Sequence, residues 1–176
     1  MTRKVKAVFF DWGDTLMRDF PEFEGPMTYW ERVEIIPGIK KALEVISPHY
    51  ICCVASNAGD SNAEIMELAL NRVNIDKYFK HFFTSRELGV SKPNPDFFNQ
   101  LVNKLKLRPD ECIFVGNDYE KDIVPAKAVG LYTVWFSEKG MSGTFTDADY
   151  SIHSMNKLYE VIMNLNSTDK ANFIKF

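Results

Sequence analysis

Short apolar runs, each stopping at a polar residue, constrain this chain more than any other feature. The first comprises Val5, Ala7, Val8, Phe9 and Phe10, interrupted only by Lys6 and ended by Asp11. Others occupy residues 51–55, 82–84, 112–115, 132–136 and 150–152. Near-continuous apolar runs of this length are what parallel strands buried on both faces require. Segments of helical period lie between them. Pro37-Gly38 opens one that runs to about Ser47, with Ile39, Leu43 and Ile46 on one face, and Pro48 ends it. Asp60 or Ser61 is placed to cap the next, in which Ile65, Leu68 and Ala69 share a face. Asn94 and Pro95 start the clearest amphipathic segment, with Phe98, Leu101, Val102 and Leu105 at helical spacing. A further helix begins near Asp122, takes Pro125 in its first turn and stops at Gly130, and Met155, Leu158, Tyr159 and Ile162 mark a last one. Strands alternating with helices predict an α/β fold, a doubly wound parallel sheet covered on both faces.

At 176 residues the chain holds one domain with a sizeable core. Residues 1–165 are assigned to it and residues 166–176 to a polar C-terminal tail. A net charge of −3 argues against a general nucleic-acid binder, and no apolar run has the length of a membrane span. Met1-Thr2-Arg3-Lys4 leads straight into a strand without a signal-peptide pattern. Cys52, Cys53 and Cys112 lie in strand-like runs and read as reduced core thiols, while His49, His81 and His153 are scattered, so a cytoplasmic protein is expected. Residues 17–36 are different in character. Phe20, Phe23, Tyr29 and Trp30 stand among five acids, and Pro21, Gly25 and Pro26 prevent a long helix before Met27. The segment reads as an aromatic-pinned surface excursion, slightly preferred over a lip beside a site.

Ligands of open α/β sheets bind at the carboxyl edge of the strands. Polar residues follow three of the runs there: Asp11 with Asp14 and Thr15, Ser56 with Asn57, and Asn117-Asp118 with Asp122. Lys92, in a loop held by Pro93 and Pro95, adds a cation. A carboxylate nucleophile, a hydroxyl donor, a fixed cation and a second acidic cluster form the set that phosphoryl transfer from an ester needs.

These residues carry a resemblance. Phe10-Asp11-Trp12-Gly13-Asp14-Thr15-Leu16, Val54-Ala55-Ser56-Asn57, Ser91-Lys92-Pro93-Asn94-Pro95 and Val115-Gly116-Asn117-Asp118, running on to Asp122, resemble, in order, the four motifs of the haloacid dehalogenase-like hydrolase superfamily. The resemblance spans nearly the whole chain and implies a Rossmann-like, three-layer α/β/α domain. It also implies a Mg²⁺-dependent phosphatase acting on a phosphate ester or phosphoanhydride. Asp11 would be the nucleophile that becomes an aspartyl-phosphate, Ser56 would donate to a phosphoryl oxygen, and Lys92 would offset the shared negative charge. Thr15, Ser56, Asn57 and Lys92 would contact substrate. The metal would be held by Asp11, the Gly13 carbonyl and Asn117 or Asp118, with Asp122 ligating or orienting a bound water.

The chain departs from the family in three ways. The position two after the nucleophile, often a general acid and base, is Gly13, and the nearest carboxylate is Asp14, one residue later. Asp14 is therefore a tentative acid/base, or only a brace for its loop. The fourth motif reads Asn-Asp at its start. No insertion is long enough for a large cap domain. An uncapped site implies a substrate that is small or macromolecular, or a homo-oligomer in which a neighbouring copy covers the site. The alternative to a phosphatase is a weakly active or inactive regulatory module that binds phosphate and Mg²⁺, kept open by Gly13.

Overall fold

Phe10 pairs with Val54 on one side and Val115 on the other, both in parallel register. This central trio organises the computed structural model, which describes residues 5–140 and 145–166. The strands are β1 (Ala7–Phe10), β2 (Ile51–Ser56), β3 (His81–Thr84), β4 (Cys112–Gly116), β5 (Tyr132–Phe136) and β6 (Tyr150–Ile152). They form one parallel sheet in the order β3-β2-β1-β4-β5-β6. The chain winds outward from β1 in one direction and from β4 in the other. The crevice between these two strands is thus the topological switch point at which such sheets bind ligands.

Alternation along β1 separates two cores. Val8 and Phe10 face α1 (Ile39–Ile46), α2 (Ala63–Arg72) and, together with Met155, α6 (Leu158–Asn166). Ala7 and Phe9 face α4 (Pro95–Lys104) and α5 (Val124–Val129), while α3 (Ser85–Leu88) is a single turn that contributes Leu88. Phe9 and Phe10 are both fully buried. Each contributes about 1.5–3 kcal/mol of hydrophobic stabilisation. Sheet and helices form a single small α/β/α domain, and no large cap domain is evident among the described residues.

The helix signals hold with local corrections. Asn94 caps α4 with Pro95 at its first position, and Gly130 ends α5 in a left-handed conformation at φ 101°. The cap of α2, however, is Asn62, whose side chain accepts from the Ile65 amide. Its buried stripe is Met66, Ala69 and Leu70, and Leu68 is exposed. Moving the cap by one residue turns the apolar face by one position. Before α5 the chain makes a π-helical turn over Tyr119–Ile123. Asn166, expected to begin the tail, closes α6. Its side chain accepts from the Val5 amide (2.8 Å) and donates to the Tyr50 hydroxyl (2.7 Å). Residues 167–176, the rest of that tail, lie outside the described residues, as do the residues before Val5.

Candidate functional site

Asp11 follows β1 directly, and its amide donates to the Val115 carbonyl (2.9 Å), which continues the ladder with β4 by one residue. That bond fixes the carboxylate at the sheet edge over the switch point. Lys92 reaches it from the loop before α4. Its Nζ donates to Asp11 Oδ1 (2.6 Å), to Asp122 Oδ1 (2.7 Å) and more weakly to the Ala55 carbonyl (3.5 Å). The rings of Phe114 and Phe97 lie 5.5 and 5.9 Å from the ammonium. Lys92 is only 6% exposed, and all three ammonium protons are thereby directed. Burial alone would lower the Lys92 pKa, but the flanking Asp11 and Asp122 carboxylates reverse this and raise it, so the residue stays a cation. Burial also pushes the Asp122 carboxyl up, Asp11 adds to the rise, and Lys92 opposes it.

Asp122 is almost wholly enclosed, with Oδ1 on Lys92 and Oδ2 accepting from the Asp118 amide (3.1 Å). In this arrangement it holds the lysine and the loop after β4, rather than presenting a free oxygen for a metal. Asp118 likewise turns aside. Its carboxylate caps the π-helical turn by accepting from the Lys121 amide (3.0 Å) and lies 3.6 Å from the Lys121 ammonium. Asn117 is the one whose side chain points inward. The Thr15 hydroxyl lies 3.3 Å from Asp11 Oδ2 and 3.2 Å from Asn117 Oδ1. Thr15 is fully buried and so joins these two oxygens.

Ser56 ends β2 and is nearly buried, with its oxygen accepting from the Ala58 amide at a long 3.4 Å. Its proton remains available to an incoming oxygen. Asn57 has another task. Its side chain donates to the Lys92 carbonyl (2.9 Å) and accepts from the Lys92 amide (2.8 Å), clamping the backbone that carries the lysine.

Asp14 sits at φ 54°, a left-handed conformation that Asp tolerates better than most residues. Its carboxylate accepts from the Asp19 amide (3.0 Å). This is the geometry of a loop brace. The Asp19 carboxyl in turn stands beside Gly13: a Cβ placed on Gly13 would lie 3.7 Å from Asp19 Oδ2. Partial burial raises the Asp19 pKa, and the charges of Asp14 and Asp11 add to the rise. Asp19 carries no motif spacing. The missing carboxylate at position 13 was the only signal in the sequence that another acid had to be sought in the following loop.

Residues 17–36 border the site and are also pinned by aromatics. Trp30 packs on Phe23 at 5.5 Å and donates to the Glu24 and Gly25 carbonyls. Arg72 of α2 donates to the carbonyls of Thr28 (2.9 Å) and Trp30 (2.6 Å) from below. The segment closes one side of a cavity of about 250 Å³. Met27 and Trp30 line it together with Gly13, Asp19, Ser56 and Asp60. The excursion is therefore also a lip.

Known proteins share this architecture. A family model described as haloacid dehalogenase-like hydrolase matches residues 18–130. The glyceraldehyde 3-phosphate phosphatase of Methanocaldococcus jannaschii is 33% identical over 102 residues, which cover 54% of this chain and 43% of that protein. The ribulose-1,5-bisphosphate 5-phosphatase of Halopiger xanaduensis is 28% identical over 143 residues, 76% of this chain and 59% of that one. The chain thus spans about half the length of the curated relatives it matches. Among solved structures, an HAD phosphatase from Thermococcus onnurineus superimposes with a TM-score of 0.74 at 19% identity, over 93% of this chain and all (100%) of that one. An uncharacterized protein from Listeria monocytogenes gives 0.78 at 22%, over 92% and 98%. At these identities the likeness is one of fold.

Proposed function

Because this chain belongs to the haloacid dehalogenase-like hydrolase family, we propose that it is a phosphatase in which Asp11 is the nucleophile. The observation that carries this reading is the buried Asp11–Lys92–Asp122 array at the switch point. A carboxylate held 2.6 Å from a directed ammonium is aimed, and the same cation lies where phosphoryl charge must be offset. Asp11 attacks phosphorus in line, and the bond to the leaving oxygen breaks. The aspartyl-phosphate is then hydrolysed by water, which returns Asp11 and releases phosphate. Ser56 donates to a phosphoryl oxygen. Lys92 stays charged throughout, because its surroundings favour the ammonium. Asn57 and Asp122 keep it aimed.

Mg²⁺ fits the donor set. It takes oxygen ligands, keeps several waters and needs only one or two protein carboxylates beside a substrate phosphate. Asp11 Oδ2 and Asn117 Oδ1, brought together around the Thr15 hydroxyl, would hold it. When bound it would neutralise phosphoryl charge opposite Lys92. Among the described residues no group of three His, Cys, Asp or Glu side chains forms a denser metal site.

The substrate proposed is a phosphomonoester or acyl phosphate small enough to enter between the lip and Ser56. The relatives with phosphatase names support that class, and the intact array weighs against a module that only binds. No helix among the described residues is long and apolar enough to cross a membrane. The three buried free cysteines suit the reducing cytoplasm. Hydrolysis of p-nitrophenyl phosphate and acetyl phosphate, with and without Mg²⁺, tests the reading. Metal-dependent turnover is expected, and a protein inert toward both would overturn it.

A further inference from the structure

We infer that Asp19 is the proton-transfer group of this site, taking in space the place that Gly13 leaves empty in sequence. The inference rests on the phosphatase reading and adds to it the residue that serves the leaving group.

Three observations support it. First, the Asp19 side chain is the nearest neighbour of the space that a side chain at position 13 would enter. Its Cβ and Oδ2 both lie 3.7 Å from an ideal Gly13 Cβ, and its Cγ lies 3.9 Å from it. Second, Asp19 is held there by a specific device. The left-handed turn at Asp14 directs that residue's carboxylate onto the Asp19 amide at 3.0 Å, fixing the backbone from which Asp19 projects. Asp14 is thus a positioning residue. Third, Asp19 lines the same cavity as Gly13, in the loop that follows the nucleophile, and Ser56, at the end of β2. Asp60, the other carboxylate of the cavity wall, comes with Ala58 and Ser61 from the loop after β2.

The proton inventory closes. As the Asp11 oxygen bonds to phosphorus and the ester P–O bond breaks, protonated Asp19 gives its proton to the departing oxygen, and an alcohol leaves. In the second half, the Asp19 carboxylate takes a proton from the water that attacks the aspartyl-phosphate. The Asp11–phosphorus bond breaks, and inorganic phosphate forms with Asp19 protonated again. An alkoxide leaves badly without that proton, whereas the acetate of acetyl phosphate needs none.

The test is leaving-group selectivity in the full chain with Mg²⁺. Asp19→Asn should lower kcat/KM toward a panel of simple alkyl phosphates by about 10²-fold or more. Turnover of acetyl phosphate should change far less in its first step, and a burst of acetate release should survive. A merely structural role would lower both alike. Adding Gly13→Asp to Asp19→Ala, which vacates the space beside position 13, should restore alkyl-phosphate turnover, since position 13 has only ordinary contacts, and those are with Asp19 itself. Equal rates for Asp19→Asn and parent, an equal loss on both substrate classes, or failure of Gly13→Asp to restore a folded double variant would overturn the inference. A parent protein inert toward both acetyl phosphate and p-nitrophenyl phosphate would instead overturn the phosphatase reading, and this inference with it.

Discussion

The ammonium of Lys92 stands 2.6 Å from Oδ1 of Asp11, with the lysine side chain 4% and the aspartate side chain 11% exposed. Charges this close and this shielded are strongly coupled, and the loss of one leaves the other uncompensated. Lys92→Met should therefore cost about 10²-fold or more in turnover and about 3–5 kcal/mol in stability, because both Asp11 and Asp122 lose their cation. Lys127 pairs with Asp149 at 2.5 Å, which makes it a less neutral control than its place on an outer helix suggests. Lys157, exposed and paired among the described residues with Glu160, serves better: Lys157→Ala should leave both quantities nearly unchanged. Steady-state rates and urea midpoints check this, and a parent-like rate for Lys92→Met would remove the lysine from the mechanism.

Asp11→Asn keeps the shape of the strand end and removes its charge. Turnover of every phosphate substrate should fall to background, since an amide is not a competent nucleophile. The circular dichroism spectrum should match the parent's. Persistent phosphate release by the purified variant would assign nucleophilic attack to another group.

The second metal oxygen can be located without measuring turnover. Asn117 points toward Asp11 through Thr15, while Asp118 is spent on the Lys121 amide. Mg²⁺ should raise the melting temperature of the parent and of Asp118→Ala, measured each from its own metal-free baseline, and raise that of Asn117→Ala less or not at all. Asn117→Asp, with an added charge facing the cation, should shift the Mg²⁺ midpoint to lower concentration. The opposite ranking of Asn117→Ala and Asp118→Ala would hand the role to Asp118.

The strands and the outline of the site were legible because their signals are local. An apolar run ended by Asp11 needs only its own residues to announce a buried strand delivering a carboxylate to the sheet edge, and the same holds for Val54-Ala55-Ser56. What escaped depends on contacts between distant segments. That Asn57 clamps the Lys92 backbone, 35 residues away, cannot be read from either stretch alone. The inward turn of Asn117 and outward turn of Asp118 are set by a cap on Lys121 and by Thr15, 102 residues earlier. The lip was ambiguous for the same reason. Its aromatics are equally suited to a surface excursion, and only the cavity that Met27 and Trp30 share with Gly13 and Ser56 shows that it borders the site.

Gly116 offers a sharper test of how the array is held. It ends β4 with ordinary strand geometry, so its need for glycine is steric rather than conformational. A Cβ there would fall 2.4 Å from Asp122 Oδ2 and 2.6 Å from the Asp122 Cβ and Cγ. Asp122 cannot step back, since Oδ1 is engaged by Lys92 at 2.7 Å and Oδ2 by the Asp118 amide at 3.1 Å. Gly116→Ala must therefore displace Asp122 or shift the end of β4, and either loosens the rear support of Lys92. Overpacking of this kind costs about 1–3 kcal/mol, or a few degrees to about 10 °C in melting temperature at about 2–4 °C per kcal/mol. The rate constant kcat should fall with it, more than KM rises, because the displaced group aims charge rather than binds substrate. Gly130→Ala provides the contrast. That glycine needs φ 101°, and the nearest atom to an added Cβ is Pro109 Cβ at 3.5 Å. The strain should cost about 1–2 kcal/mol without changing kcat. If Gly116→Ala keeps the parent's kcat, Asp122 does not position Lys92, and the two buried contacts serve the fold alone.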